Sequence, residues 1–412
     1  MTSQKVKNQI LTGSFLFNRK LAVTLWFGLS LIAVLYDFFE YKSTGGISGN
    51  YKIFKYVFVH IREQVNLFTE YPLQYNDTNH YGPFFSLIIA PFALLPDAMG
   101  VVLWVMANAA ILYWAIRKLP IKENWQNAIL ILSAHEMMTA ASWVQSNPLI
   151  IACIILGFVY IHSGKEIWAL FFILIAAFIK LYGVVGFAFF FFSKDKLSFI
   201  KWAIIWFAVF LIAPMVFAPL SFIFQSYQDW YISLTEKAAK NVRLDINNDY
   251  QDISVMGMIR RIFKVPNFKN MIITIPAVII FGLQYIRYQY FSDIRYRLYL
   301  MCSVLIMTVI FTTSAESPTY IIAFPAVCLW FVLQPPAKWV NGVFVFALLL
   351  TSFSYSDIFT PYVRDHIIRP YSLKALPCFI VWLIISWQIF NKQFLLVNLS
   401  DGLGERRIKI ST

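Results

Sequence analysis

The sequence predicts an all-α protein built as a polytopic transmembrane helical bundle of about 10–12 spans. Three observations carry this prediction. Of 412 residues, 59% are hydrophobic and only 13% charged, where a soluble domain carries roughly 25% charged residues. Apolar runs near the roughly 20 residues that cross a bilayer recur along the whole chain, and mean hydropathy is +0.64. Lys and Arg fall in short clusters between those runs, and Phe, Tyr and Trp are abundant, as expected where wide apolar spans meet interfacial aromatic belts.

Taken in order, spans are predicted near 21–39, 98–116, 126–144, 148–163, 202–224, 271–287, 298–313, 318–334, 339–354 and 374–391. Two further runs are shorter or broken. Pro91 interrupts 83–96, which reads as a segment that dips in and returns. Lys180 and Gly183 stand in the middle of 166–192, which reads as two half-helices. The domain organisation expected is a cytoplasmic basic N-terminus over 1–20, a transmembrane unit over 21–391 and a cytoplasmic basic tail over 392–412, with outward loops at 41–82 and 226–270. The positive-inside rule gives this orientation: Lys5, Lys7, Arg19 and Lys20 hold the N-terminus in the cytoplasm, and the later inner loops are short and basic. The outward segments hold most of the polar residues, so the chemistry is expected on the outer face.

The net charge of +13 fits membrane orientation better than nucleic-acid binding, because the cations are dispersed between spans rather than gathered on one groove-sized face. Cys153, Cys302, Cys328 and Cys378 lie inside apolar segments without CxxC spacing and read as small packing residues. The histidines show no ligand spacing, so no metal site is predicted. No Gly-rich phosphate loop is present. The first apolar run follows a basic stretch with no cleavage site and reads as a retained helix rather than a signal peptide.

The chain is organised around 143–187, WVQSNPLIIACIILGFVYIHSGKEIWALFFILIAAFIKLYGVVGF. A Gln-Ser-Asn-Pro cluster at 145–148 and the lone Lys180 occupy the ends of an otherwise apolar helical pair. A lysine at mid-membrane costs about 2.5–3.5 kcal/mol on insertion scales, so a cation there calls for a cavity or an anionic partner; snorkelling to water is the bland alternative. The first outward loop carries Lys52, Lys55, His60 and Arg62 at helical spacing among aromatic residues, the pattern of a helix lying in the interface beside anionic headgroups. A general base must reach the proton it removes. Asp77, four residues before Tyr81, fits that demand, as does Glu316. His135 and Glu136 read either as a proton relay or as a satisfied interhelical pair.

These motifs, in this order, resemble the family-87 glycosyltransferases, polyprenyl-phosphate-mannose-dependent enzymes of the GT-C class. QSNPLIIACIILGFVYIHSGKEIWALFFILIAAFIKLYGVV resembles the family's GQxNxLL…K stretch. NYKIFKYVFVHIREQVNLF, Tyr81-Gly82-Pro83 and APFALLPDAMGVVLW are similar to its first-loop motifs. DISVMGMIRRIF resembles its N-x-S-x-x-G segment, and AESPTYIIAFPAVCLW the segment after it. The likeness covers 45–335. It implies a GT-C-like membrane enzyme moving mannose or another hexose from a polyprenyl-phosphate donor to a lipid or glycan acceptor with inversion, expected in the inner (plasma) membrane of a bacterium. No cofactor is expected, because Lys and Arg alone can neutralise a lipid monophosphate leaving group. On this reading Lys180 takes the donor phosphate, helped by Lys52, Lys55 or Arg62, and Tyr81, Gln145, Asn147, Ser254 and Glu316 line the sugar or acceptor pocket. The family's catalytic aspartate matches Asn50, an amide that cannot take a proton as a carboxylate does, so the base falls to Asp77 or Asp37, the latter within the literal DFxxY pattern of 37–41. The alternatives are a transporter or lipid flippase, and a non-catalytic homologue motivated by Asn50.

Overall fold

The computed structural model describes residues 14–43, 49–75, 77–242 and 250–397, and every regular element among them is helical. Among the described residues four helices are long and apolar enough to cross a membrane: Arg19–Tyr36, Asp97–Arg117, Lys196–Val216 and Met271–Tyr290. Shorter apolar helices fill the space between them, among them Asn147–His162, Glu166–Ile179, Ser317–Leu333, Lys338–Ser352 and Ala375–Phe390. The chain is an integral membrane protein built as a polytopic helical bundle. The predicted span 126–144 is two helices, Glu123–Leu132 and Ala134–Ser142, broken at Ser133. Much of the predicted outward loop 226–270 is also helical, as Leu220–Val242 and Val255–Ile262.

The segment 83–96 does not cross. Its helix, Phe85–Ala93, has nine residues, about 14 Å at 1.5 Å per residue, less than half of a hydrocarbon core of about 30 Å. It lies against the amphipathic helix Gly49–Glu63, which buries Tyr51, Phe54, Val57, Phe58 and Ile61. Tyr51 Oη donates to Phe92 O at 3.0 Å, and Lys55 Nζ to Asp97 Oδ1 at 2.5 Å. These two bonds hold the turn after the short helix against the amphipathic one.

The run 166–192 is a hairpin with Lys180 at its tip. The α-helix Glu166–Ile179 ends where Lys180 adopts an extended backbone (φ −141°, ψ 140°), and a 3-10 run, Leu181–Phe192, turns back along it. Glycines permit the close return. A Cβ on Gly183 would stand 2.1 Å from Ala177 N, and one on Gly186 would stand 2.7 Å from Ile173 Cγ1. At the open end Ser193 Oγ donates to Glu166 Oε1 at 2.8 Å. The 12-residue 3-10 arm covers about 24 Å at 2.0 Å per residue, and the 14-residue α arm about 21 Å, so the arms match in length.

The bundle has two unlike ends. At the hairpin's open end Arg297 donates to Phe192 O at 3.0 Å and reaches His162 at 3.3 Å, while Lys196 Nζ donates to Phe190 O at 3.0 Å. Arg117 pairs with Glu123 at 2.7 Å at the close of the helix that runs beside Asn147–His162. The tip end is polar and hollow.

Gly183→Val should destabilise the protein by about 3 kcal/mol or more, because the clash is with helix backbone that no rotamer change relieves. Gly282→Val, at a position with nothing within 4 Å, should change stability by about 0.5 kcal/mol or less. Thermal unfolding in nanodiscs compares the two; equal transition temperatures would contradict the hairpin.

Candidate active site

A cavity of about 790 Å³ opens at the hairpin tip. One wall is built around Lys180. Its Nζ donates to Asn147 Oδ1 at 3.3 Å and lies 4.8 Å from the centre of the Tyr81 ring and 5.9 Å from that of Tyr182. Tyr81 Oη accepts from Ser146 Oγ at 3.2 Å and donates to Gln145 Oε1 at 3.4 Å. The polar cluster at 145–148 and Lys180 therefore form one connected surface, joined through Tyr81. Gly82 makes that join possible, since a Cβ there would sit 2.5 Å from Phe178 O, in the last turn before the hairpin tip. Val144, just before the cluster, has φ +52°, a left-handed conformation that glycine adopts freely and a β-branched residue adopts at about 1–3 kcal/mol. Its side chain is fully buried, and burying it contributes about 1.5–3 kcal/mol, which offsets the strain.

The second wall comes from 250–254, 314–319 and 369–374. Asp252, also at positive φ, accepts from Arg260 Nε at 3.1 Å and from Ser254 Oγ at 2.7 Å. Ser254 Oγ in turn accepts from Gly257 N at 3.1 Å and caps the helix Val255–Ile262. Gly257 lies so close to the Asp252 carbonyl that a Cβ would stand 1.8 Å from its oxygen. The DISVMG motif is thus a knot that fixes a loop. That loop is tied to its neighbour by Ile253 N donating to Ala315 O at 2.8 Å and Tyr320 Oη to Ile253 O at 2.9 Å. Gln251 Nε2 is thereby placed 3.0 Å from Glu316 Oε1. Glu316 N also donates to Thr319 Oγ1 at 3.1 Å.

Two kinds of cation face the cavity. Lys374 Nζ is fully buried and bonds Glu136 Oε1 at 2.9 Å and Ser317 Oγ at 3.1 Å. Arg369 pairs with Asp365 at 3.0 Å and lies over the rings of Tyr250 and Tyr355. Lys180 and Lys237, in contrast, line the cavity with no carboxylate in ion-pair contact among the described residues. Burial holds Lys237 below its ordinary value, with Lys180 and Lys240 adding repulsion while Glu316 and Asp77 oppose it. Burial, then the charges of Lys237, Lys180 and Lys240, push His80 down to about 3. His80 is thus neutral, its Nδ1 3.0 Å from Ser233 Oγ and its Nε2 3.2 Å from Thr78 Oγ1.

Of the residues singled out in the sequence, Asn50, Asp77, Tyr81, Gln145, Lys180 and Glu316 line the cavity, and Asn147 stands directly behind Lys180. Asp77 is exposed, its Oδ1 accepting from Thr78 N at 2.7 Å. The Asn50 amide donates to Trp143 O at 2.8 Å, bracing the wall. Four residues stand apart. Lys55 is paired with Asp97; Arg62 is exposed, with its guanidinium 5.4 Å from the centre of the Phe58 ring; Lys52 lies on the same helix, off the cavity; and Ser254 is consumed as a helix cap. The side chain of Asp37 lies outside the described residues. Of the pair His135 and Glu136, Glu136 bonds Lys374, and His135 Nδ1 lies 3.3 Å from Ser352 Oγ. Lys237, Arg369 and Lys374 were not legible as cavity residues, because each sits in a segment that reads as an ordinary loop or helix end.

The fold and this cavity define a membrane protein with a mixed-charge pocket at one end of its helices. A model of glycosyltransferase family 87 matches residues 79–314, more than half of the chain, and the protein belongs to that family: it is a membrane glycosyltransferase. No curated protein and no solved structure matches it. The match begins two residues before Tyr81, so the pairing of Asn50 with the family's aspartate rests on resemblance alone.

Because His80 is neutral when folded and has an ordinary value near 6.5 when unfolded, the folded chain binds fewer protons there between pH 6.5 and 3. Stability is therefore lost as pH falls through that window. The fall in transition temperature from pH 7 to pH 4 should be shallower in His80→Asn than in wild type. Parallel curves would contradict a neutral, half-buried His80.

Proposed function

We propose that this glycosyltransferase takes its sugar from a polyprenyl-phosphate donor and passes it, with inversion, to a hydroxyl of a lipid or glycan acceptor on the outer face of the membrane. The observation that carries the reading is Lys180, a cation at the tip of a membrane hairpin whose only hydrogen bond among the described residues is to a neutral amide. Such a group is best explained by an anion that arrives from outside the protein. Lys237 adds a second charge suited to a monophosphate. Ile32, Tyr36 and Leu181, exposed apolar residues of the cavity lining, give the rim a surface on which a lipid tail can rest.

In the transfer, the acceptor oxygen attacks the anomeric carbon from the face opposite the phosphate. The bond from that carbon to the phosphate oxygen breaks, and the phosphate leaves with the electron pair, its charge held by Lys180 and Lys237. The acceptor's proton passes to a carboxylate. Asn50 cannot receive it, and its amide already donates to Trp143 O, so the base is assigned to Asp77, with Glu316 as a second candidate among the carboxylates that line the cavity. Tyr81, Gln145 and Asn147 supply hydrogen-bonding groups for the sugar. Family membership carries the enzyme class and leaves the transporter reading without support; hexose transfer, and mannose in particular, follows the family resemblance. The basic end, with Arg117, Lys196 and Arg297, is the cytoplasmic one by the positive-inside rule, which puts the cavity outside, in the periplasm of a bacterium.

The test is sugar transfer by protein in nanodiscs from a panel of polyprenyl-phosphate hexoses to membrane acceptors. Wild type should turn over at least one donor. Lys180→Ala should weaken donor binding about tenfold or more, and Asp77→Asn should lower turnover about 100-fold or more with donor binding intact. Near-normal turnover in Asp77→Asn would move the base to Glu316, and no transfer from any donor would leave a non-catalytic homologue.

A further inference from the structure

The helix Leu220–Val242 brings a second cation to Lys180. Ser233, Lys237 and Asn241 recur at a spacing of four residues, so they share one face of that helix. The outer two are tied down. Ser233 Oγ lies 3.0 Å from His80 Nδ1, and Asn241 Nδ2 donates to Thr313 O at 3.2 Å and to Ser314 Oγ at 3.1 Å. Both anchors adjoin Lys180. Tyr81, next to His80, has its ring centre 4.8 Å from Lys180 Nζ; Tyr182, whose Oη donates to Ser314 O at 3.2 Å, has its ring centre 5.9 Å from it. Lys237, between the anchors, faces the same cavity and is within reach of the repulsion of Lys180. Neither lysine has a carboxylate in ion-pair contact among the described residues, whereas Lys374, in the same lining, has Glu136 at 2.9 Å.

A donor of the kind proposed above carries a single negative charge, because a phosphodiester has one ionisable oxygen. Cleavage changes that. The bond from the anomeric carbon to the phosphate oxygen breaks and its electron pair stays on that oxygen. The carrier becomes a phosphate monoester, whose second ionisation lies at about pH 6, so that it holds close to two negative charges above pH 7. The acceptor's proton goes to Asp77, and that carboxylate loses the charge that the phosphate gains. Lys180 and Lys237 together exceed the charge of the donor and match that of the spent carrier. Contacts that strengthen as charge develops lower the barrier, and the same contacts hold the product. We infer that the enzyme binds the spent carrier, a polyprenyl phosphate monoester, more tightly than the sugar-bearing donor, and that Lys237 is the residue that produces the difference. This rests on the lipid-phosphate reading above and adds a regulation to it. Free polyprenyl phosphate, as it accumulates on the outer face, occupies the site and slows further transfer until another reaction removes it.

The experiment is titration calorimetry on the full chain in nanodiscs, with empty nanodiscs as the blank. The probes are farnesyl phosphate and methyl farnesyl phosphate, which share a prenyl chain and differ in the ionisable oxygen that only the monoester has. At pH 7.5 wild type should bind farnesyl phosphate about tenfold or more tighter than its methyl ester. The preference should shrink to within about threefold at pH 5, below the second ionisation of the monoester. Lys237→Ala should bring the ratio at pH 7.5 to within about threefold while keeping affinity for the methyl ester within about threefold of wild type, which also shows that the variant folds. Lys237→Arg should keep the ratio. Equal binding of the two probes by wild type, an unchanged ratio in Lys237→Ala, or loss of both probes alike in that variant would overturn the inference and leave the donor reading standing. Binding of neither probe by wild type would overturn both.

Discussion

An ammonium group that cannot remain unmatched in a membrane is the constraint on which this structure turns. Lys180 could be carried by a continuous helix only by facing lipid or another helix. The chain instead breaks at that residue and folds back, so that the lysine caps a hairpin and faces a hollow. Gly183 and Gly186 let the return arm close on the helix, and Gly82 lets the Tyr81 turn sit on the hairpin's end. The polar residues at 145–147 then complete the wall. Remove the break and there is no cavity to which the dipping segment 83–96 and the knot at 252–257 could contribute.

Charge is apportioned around the cavity by the same logic. A buried lysine with a carboxylate at 2.9 Å, as in Lys374 and Glu136, is a closed account of charge that holds the helices Ala134–Ser142 and Ala375–Phe390 in register; removing one partner of such a pair typically costs 3–5 kcal/mol. Lys180 and Lys237 have no such partner among the described residues. One buried lysine is paired and two others face a hollow, and that contrast is what supports the proposal of an anionic ligand there. His80, kept neutral beside them, adds no third positive charge.

Much of this was legible in the sequence, and the part that was not has a physical reason. Apolar runs separated by basic clusters foretold a helical membrane protein. The oddity of Lys180 inside such a run marked the site, because an isolated charge in hydrocarbon is rare whatever the fold. A serine two residues after an aspartate and three before a glycine looks the same in sequence whether or not it caps a helix, and the Gly257 N to Ser254 Oγ bond shows that Ser254 does. The pairing of Lys55 could not be read in advance because its partner, Asp97, is 42 residues away. Lys237, Arg369 and Lys374 were missed for the converse reason, since nothing local distinguishes a lysine on a surface helix from one aimed into a cavity. Val144 shows how a left-handed turn that favours glycine can be held at a β-branched residue, with burial of the valine side chain supporting it.

The central claim is that the hairpin tip exists to hold a lipid phosphate. The most direct measurement is a structure of the protein in a nanodisc with undecaprenyl phosphate bound. The account predicts a phosphate oxygen within about 3 Å of Lys180 Nζ, with Lys237 facing the same group and the lipid tail leaving over Ile32 and Leu181. A phosphate bound elsewhere, with Lys180 still directed only at Asn147 and Tyr81, would contradict it.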